Sequence, residues 1–145
     1  MSVEIEAVRV ATDEVVKAFG RLLPQLSRSA KPLDLTALDE LVASDASTLL
    51  IARREGEIVG ALTLVMFPIP TGRRAWIEDV VVDEAARGLG VGAALTQEAV
   101  RLAREAGART VDLTSRPSGE AANRLYERLG FHLRDSKVYR LVPDR

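Results

Sequence analysis

The chain has 145 residues, 47% of them hydrophobic and 28% charged, with a net charge of −1, one histidine and no cysteine. That length suits one domain able to bury roughly 70% of its unfolded surface, and the near-zero charge gives no bulk attraction to nucleic acid or to an anionic membrane. Without cysteine there are no disulfides, thiolate metal sites or cysteine nucleophile, and with His132 alone there is no multi-histidine metal centre.

No stretch approaches the ~18 continuous apolar residues of a membrane span. "MSVEIEAVRV" has neither a basic start nor an apolar signal core, so the expected location is cytoplasmic. "SVEIEAVRVA" then alternates apolar and polar residues as a half-buried strand does. Thr12-Asp13-Glu14 opens a helix carried by Val15, Val16, Phe19, Leu22 and Leu23 and stopped at Pro24. A second helix is predicted from Asp34 to Ala43, with Leu35, Leu38, Leu41 and Val42 on one face. "STLLIARREGEIVGALTLVMF" reads as a β-hairpin turning at "REGE" through Gly56, its second strand ending at "PIPTG".

"RRAWIEDVVVD" is the next strand. "LGVGAALTQEAVRLAREAG" is a helix with Val91, Leu95, Ala99, Leu102 and Ala106 inward and Gly107 capping its end. "RTVDLTS" is a strand, and "SGEAANRLYERLG" a helix with Ser118 as N-cap and Gly130 at its end. "FHL" and "KVYRLV" close the chain as short strands. The order β-α-α-β-β-β-α-β-α-β-β, without repeats or linkers, predicts one α/β (α+β) domain over residues 1–145. Its sheet would be mixed and mostly antiparallel, with roughly six to seven strands and about four flanking helices.

The densest signal is "RGLGVG", residues 87–92, at the start of the central helix. A helix N-terminus offers unsatisfied N–H groups and partial positive charge, glycines let phosphate oxygens approach the backbone, and Arg87 adds a cation. A nucleoside-triphosphate loop would need a lysine after its last glycine, and none follows. Gly88-Leu89-Gly90-Val91-Gly92-Ala93 also fits the dinucleotide pattern G-x-G-x-x-A, with Asp112 about 20 residues on. Against that reading, Asp83-Glu84-Ala85-Ala86-Arg87 separates the loop from its strand, Asp112 falls mid-strand, and repeated β-α-β units are missing.

Arg87-x-x-Gly90-x-Gly92, the strand "IEDVVVD" before it and "NRLYERLGFH" about thirty residues later together resemble the GNAT superfamily of N-acetyltransferases. The last segment is similar to its Asn-x-x-Tyr-x-x-x-Gly-Phe stretch, and the order of elements matches over essentially the whole chain. The resemblance implies the GNAT fold and acetyl-coenzyme A as cosubstrate, with no metal. It implies that Arg87, Gly88, Leu89, Gly90, Val91 and Gly92 hold the diphosphate, and that main-chain groups of Val80, Val81 and Val82 meet pantetheine and the acetyl carbonyl. Asn123 would bond the pantetheine arm, and Tyr126 would give its proton to the departing thiolate.

Glu78 is the expected base for the amine, directly or through a water, with Asp79 as the alternative; on a regular strand the two point to opposite faces. "WIEDVVV" also resembles members that acetylate amino-sugar phosphates. The acceptor pocket is expected between the first two helices and "FPIPTGRR", with Trp76 as packing or a pocket wall and His132 structural. The implied partners are a small-molecule or peptide amine and neither nucleic acid nor membrane, with a homodimer compatible. The competing class is a non-catalytic acyl-coenzyme A sensor of the same fold.

Overall fold

In the computed structural model, which describes residues 2–143, local sequence signals set most element boundaries. Thr12 accepts a hydrogen bond from the Val15 N–H at 3.3 Å and starts α1 (Asp13–Leu26), whose first turn carries Asp13 and Glu14 at the positive end of the helix. Asp34 caps α2 (Leu35–Ala43) by accepting from the Ala37 N–H at 2.8 Å. Glu55 and Gly56, with φ of +54° and +82°, make the two-residue turn between β2 (Ser47–Arg54) and β3 (Glu57–Ile69), the conformation whose twist matches a right-handed hairpin. β1 (Glu4–Ala7), β4 (Gly72–Val82) and β5 (Thr110–Leu113) complete a sheet in the order β1-β2-β3-β4-β5. The first four strands pair antiparallel, and β5 runs parallel to β4 after the crossover helix α3 (Val91–Glu105).

Residues up to 114 pack as one compact unit, and residues from 115 onward as a second. In the first unit the sheet is covered on both faces. Val15, Ala18, Phe19 and Leu22 of α1 and Leu38 of α2 bury against Leu49, Ile51, Ala61 and Val81. The stripe Val91, Leu95, Ala99 and Ala103 of α3 is 0–1% exposed. It comes so close to β3 that a β-carbon on Gly60 would lie 2.8 Å from Val91 Cγ1 and 3.2 Å from Leu95 Cδ1, with the Val81 carbonyl oxygen of β4 3.1 Å away on the sheet.

Gly60→Ala is therefore expected to cost about 1–3 kcal/mol, because the Val91 and Leu95 side chains and the Val81 carbonyl must give way to the added methyl. Gly20→Ala serves as its control. It lies on an exposed helical turn with nothing within 4 Å, and it should stabilise by roughly 0.5–1 kcal/mol. Equal melting shifts in the two variants would reject this account of the α3–β3 contact.

Pro24 lies inside α1 rather than ending it, and Ser27 N–H still reaches the Leu23 carbonyl at 2.9 Å; a proline in the last turn withholds one donor without stopping the bonds after it. Pro68 is within β3. Beyond Met66 that strand has β4 on one side only, because β2 ends at Ser47 opposite Val65, and a residue without an N–H is tolerated at such an edge. The described sheet has five strands, not six to seven, since "FHL" and "KVYRLV" form no ladder. Leu133, Val138, Tyr139, Leu141 and Val142 in that stretch are exposed. Alternation supplies a strand with a face, but its N–H and C=O groups also need a partner strand, which alternation does not record.

The second unit holds α4 (Glu120–Arg128). Its N-cap is Gly119 rather than Ser118, with no side-chain cap bond. Among the described residues no helix is long and apolar enough to cross a membrane.

Candidate active site

β4 loses its regular alternation in the middle of "IEDVVV". Thr63 pairs with Glu78 and Ala61 with Val81, so two steps along β3 oppose three along β4. The extra residue is a β-bulge, and Asp79 in it has φ +51°, a left-handed conformation that aspartate tolerates better than most residues. Glu78 and Asp79 are therefore not related as neighbours on a regular strand, and both are exposed. Glu78 shares a face with Thr63 opposite it, on the side covered by α1 and α2, and Asp79 lines a cavity on that side together with Thr63. The expectation that the two carboxylates point to opposite faces is overturned by that one inserted residue.

The bulge coincides with an opening in the sheet. The parallel ladder between β4 and β5 stops at Ile77 and Leu113, whereas β4 continues to Val82. Among the described residues no strand pairs with that edge of β4 from Glu78 on. Val81 is buried in the α1–α2 core, and Val80 and Val82 are half-buried, so their side chains hold the strand while their backbone carries the open edge.

Past Val82 the chain makes one 3-10 turn, Glu84–Ala86, and enters the glycine loop. Gly88 and Gly90 have φ of +80° and +82°, and nothing lies within 4 Å of where their β-carbons would be. Their glycines serve the backbone conformation, and the space in front of them is open. Gly90 is the N-cap of α3 without any side-chain cap, and the first helical bond runs from the Ala94 N–H to the Gly90 carbonyl at 3.0 Å. The N–H groups of Val91, Gly92 and Ala93 consequently lack helical acceptors. Leu89 points outward, and Arg87 is exposed with no ion pair among the described residues.

Residues the sequence did not single out fix this loop. Arg21 of α1 donates to Asp83 at 3.0 Å and to the Ile58 carbonyl, while Gln25 accepts from the Glu84 N–H at 3.0 Å. The Arg21 hydrogen bond, helped by the Ala85 N–H, holds the Asp83 carboxyl below the usual carboxylate range. Gly60 sets how near the start of α3 can come to the sheet. An isolated glycine inside a strand pattern was its only sequence signal.

The cavity beside Asp79 has a volume of 300 Å³ and opens among α1, α2, β2, β3 and β4. "FPIPTGRR" does not line it. Its turn follows Ile69 and leads into Gly72, seven residues along β4 from Asp79, a span of roughly 23 Å. At that end of β4, Arg74 pairs with Asp112 of β5, so the carboxylate that a dinucleotide reading would reserve for ribose is already engaged.

Glu78 and residues 80–92 belong to the first unit, Asn123 and Tyr126 to the second. Asn123 donates from its amide nitrogen to the Arg116 carbonyl at 3.0 Å and ties the turn before α4. Tyr126 is half-buried, its ring edge-on to Phe131 with centroids 5.9 Å apart, and burial raises its phenol above its ordinary pKa. His132 is exposed.

The sequence model of the acetyltransferase (GNAT) family matches residues 8–131. A glucosamine 6-phosphate N-acetyltransferase from Trypanosoma brucei brucei is 40% identical over 86 residues, 57% of this chain and 56% of that protein. A mycothiol acetyltransferase from Thermomonospora curvata is 37% identical over 87 residues, 60% of this chain and 28% of that protein. The matches thus span about half of one curated relative and less than a third of the other. Among solved structures, a transcriptional regulator from Bacillus halodurans superposes with a TM-score of 0.82 at 29% identity, covering 97% of this chain and all of that one.

Proposed function

Because the chain belongs to the acetyltransferase (GNAT) family, we propose that it moves an acetyl group from acetyl-coenzyme A to a primary amine. The observation that carries this reading is the bulged end of β4, past the last β5 pairing, followed after one 3-10 turn by an uncapped, glycine-built helix N-terminus. The first lies past the last β5 pairing, the second leaves N–H groups without helical acceptors, and nothing lies within 4 Å of the β-carbon positions of Gly88 and Gly90. Residues 87–92 would hold that diphosphate through backbone N–H groups, with Arg87 adding a charge-assisted bond. Asn123 would meet the pantetheine arm, and an N–H among Val80 to Val82 would donate to the acyl oxygen.

Acetyl-coenzyme A supplies the acyl group as a thioester, whose carbonyl carbon bonds to the amine nitrogen as its carbon–sulfur bond breaks. Glu78 accepts the proton that the ammonium must shed, directly or through a water, Tyr126 gives its phenolic proton to the leaving sulfur, and the second proton, lost from nitrogen as the amide forms, restores the phenol. The chain has no cysteine to carry the acetyl group, which favours direct attack by the bound amine. The names of both curated relatives are those of acetyltransferases, and one names glucosamine 6-phosphate; they support a small amine as acceptor.

Thiol release from acetyl-coenzyme A across an amine panel tests the reading. Glu78→Gln is expected to slow turnover about 10²-fold without weakening acetyl-coenzyme A binding. Tight binding of acetyl-coenzyme A with no release for any amine would replace the enzyme by a sensor of the same fold.

A further inference from the structure

We infer that the acceptor is a primary amine on a compact apolar body, seated in the 300 Å³ cavity with its ammonium at Asp79, an inference that rests on the acetyltransferase reading above. The cavity's size is at the small end for ligand sites. Phe19, Leu23 and Leu26 of α1, Leu41 of α2 and Leu33 of the segment between them form its walls. Only three of its side chains carry polar groups: Thr63 and Asp79 on the strands, and the exposed Lys31. Asp79 has no salt bridge among the described residues, so its charge is available to a ligand.

A polyhydroxylated amino sugar would place hydroxyls against leucine walls, and each one left without a partner costs free energy. A phosphomonoester calls for several converging donors, ideally an arginine fork, and this lining offers the single ammonium of Lys31. An alkyl or aryl body instead replaces water along those walls, and its ammonium finds the one carboxylate. The bulge puts that carboxylate there. Regular alternation would send the residue after Glu78 to the opposite face of the sheet, and the inserted residue keeps it beside Thr63. Asp79 is thus the side chain that binds the acceptor's charge, next to the residue proposed to take its proton.

Phenethylamine, isoamylamine, spermidine and glucosamine 6-phosphate, compared on the full chain by thiol release, test this. The expected kcat/KM is at least about tenfold higher for the two apolar amines than for the sugar phosphate. Asn tolerates the left-handed conformation as well as Asp, so Asp79→Asn removes the charge and keeps the bulge. It should raise KM for phenethylamine about tenfold with kcat nearly unchanged, where loss of a base would lower kcat. Leu33→Gln, at a half-buried wall position, should raise KM for the apolar amines only.

Calorimetric titration of phenethylamine into the chain without acetyl-coenzyme A reads the pocket independently of transfer. Binding there should weaken in Asp79→Asn. Equal or better use of glucosamine 6-phosphate, or an unchanged phenethylamine KM in Asp79→Asn, overturns the inference and leaves the acetyltransferase reading standing. No release with any amine, alongside phenethylamine binding that depends on Asp79, overturns the transferase reading and keeps the pocket.

Discussion

Gly90→Asp is expected to abolish acetyl-coenzyme A binding in a chain that still folds. Gly90 sits at φ +82° with nothing within 4 Å of its β-carbon position, so a side chain there meets no steric obstacle. The left-handed conformation costs an aspartate less than most residues, and a carboxylate at the positive end of α3 recovers roughly 0.3–1 kcal/mol. Stability should therefore change little. Affinity should not survive, because the new charge would occupy the space in front of the Val91, Gly92 and Ala93 N–H groups, where a diphosphate held by the loop would need them. A loss of at least about 100-fold in Kd corresponds to roughly 3 kcal/mol, less than the ~4 kcal/mol of repulsion between two like charges ~4 Å apart near a protein surface. Calorimetry with acetyl-coenzyme A and a melting curve on the same sample check both halves. Gly90→Ala separates conformation from charge, since it carries the backbone strain without the repulsion. Retained affinity in Gly90→Asp, with a normal melt, would mean that the diphosphate is held elsewhere on the chain.

What the sequence disclosed follows from which interactions are local. "REGE" specifies its own turn, because Glu55 and Gly56 must both take positive φ within two residues. Thr12 and Asp34 announce their helices through bonds to N–H groups three residues on. The loop "RGLGVG" was legible for the same reason, Gly88 and Gly90 being required by its own backbone. Non-local features were not. The bulge at Asp79 arises from register against β3, so two adjacent acids looked opposed when they share the neighbourhood of Thr63. "FPIPTGRR" does not line the cavity beside Asp79, because seven residues of β4 separate Gly72 from Asp79. Gly60 and Arg21 act on the glycine loop across gaps of about 30 and 60 residues, which no window of local pattern reaches. The strands expected after Gly130 had the right alternation and no ladder.

Tyr126→Phe is expected to slow turnover by one to several orders of magnitude and leave acetyl-coenzyme A affinity nearly intact. The substitution deletes one hydroxyl and keeps the ring, so the edge-on contact with Phe131 at 5.9 Å survives and α4 keeps its packing. The tyrosine is suited to giving a proton. Burial disfavours the phenolate, so the group stays protonated well past neutral pH and has a proton to give as negative charge builds on the sulfur with the breaking of the carbon–sulfur bond. The basic limb of the wild-type kcat profile should consequently lie above the ordinary phenol value, and it should vanish in the variant. A linked effect on stability provides an independent check. The folded phenol holds its proton to higher pH than the unfolded one, so the unfolded chain releases protons first as pH rises through about 10, and the folded state loses ground. Stability that falls above pH 10 by less in Tyr126→Phe than in the parent would confirm that burial sets the shift. A variant with unchanged turnover would take the proton donor's role away from Tyr126, whatever its effect on stability.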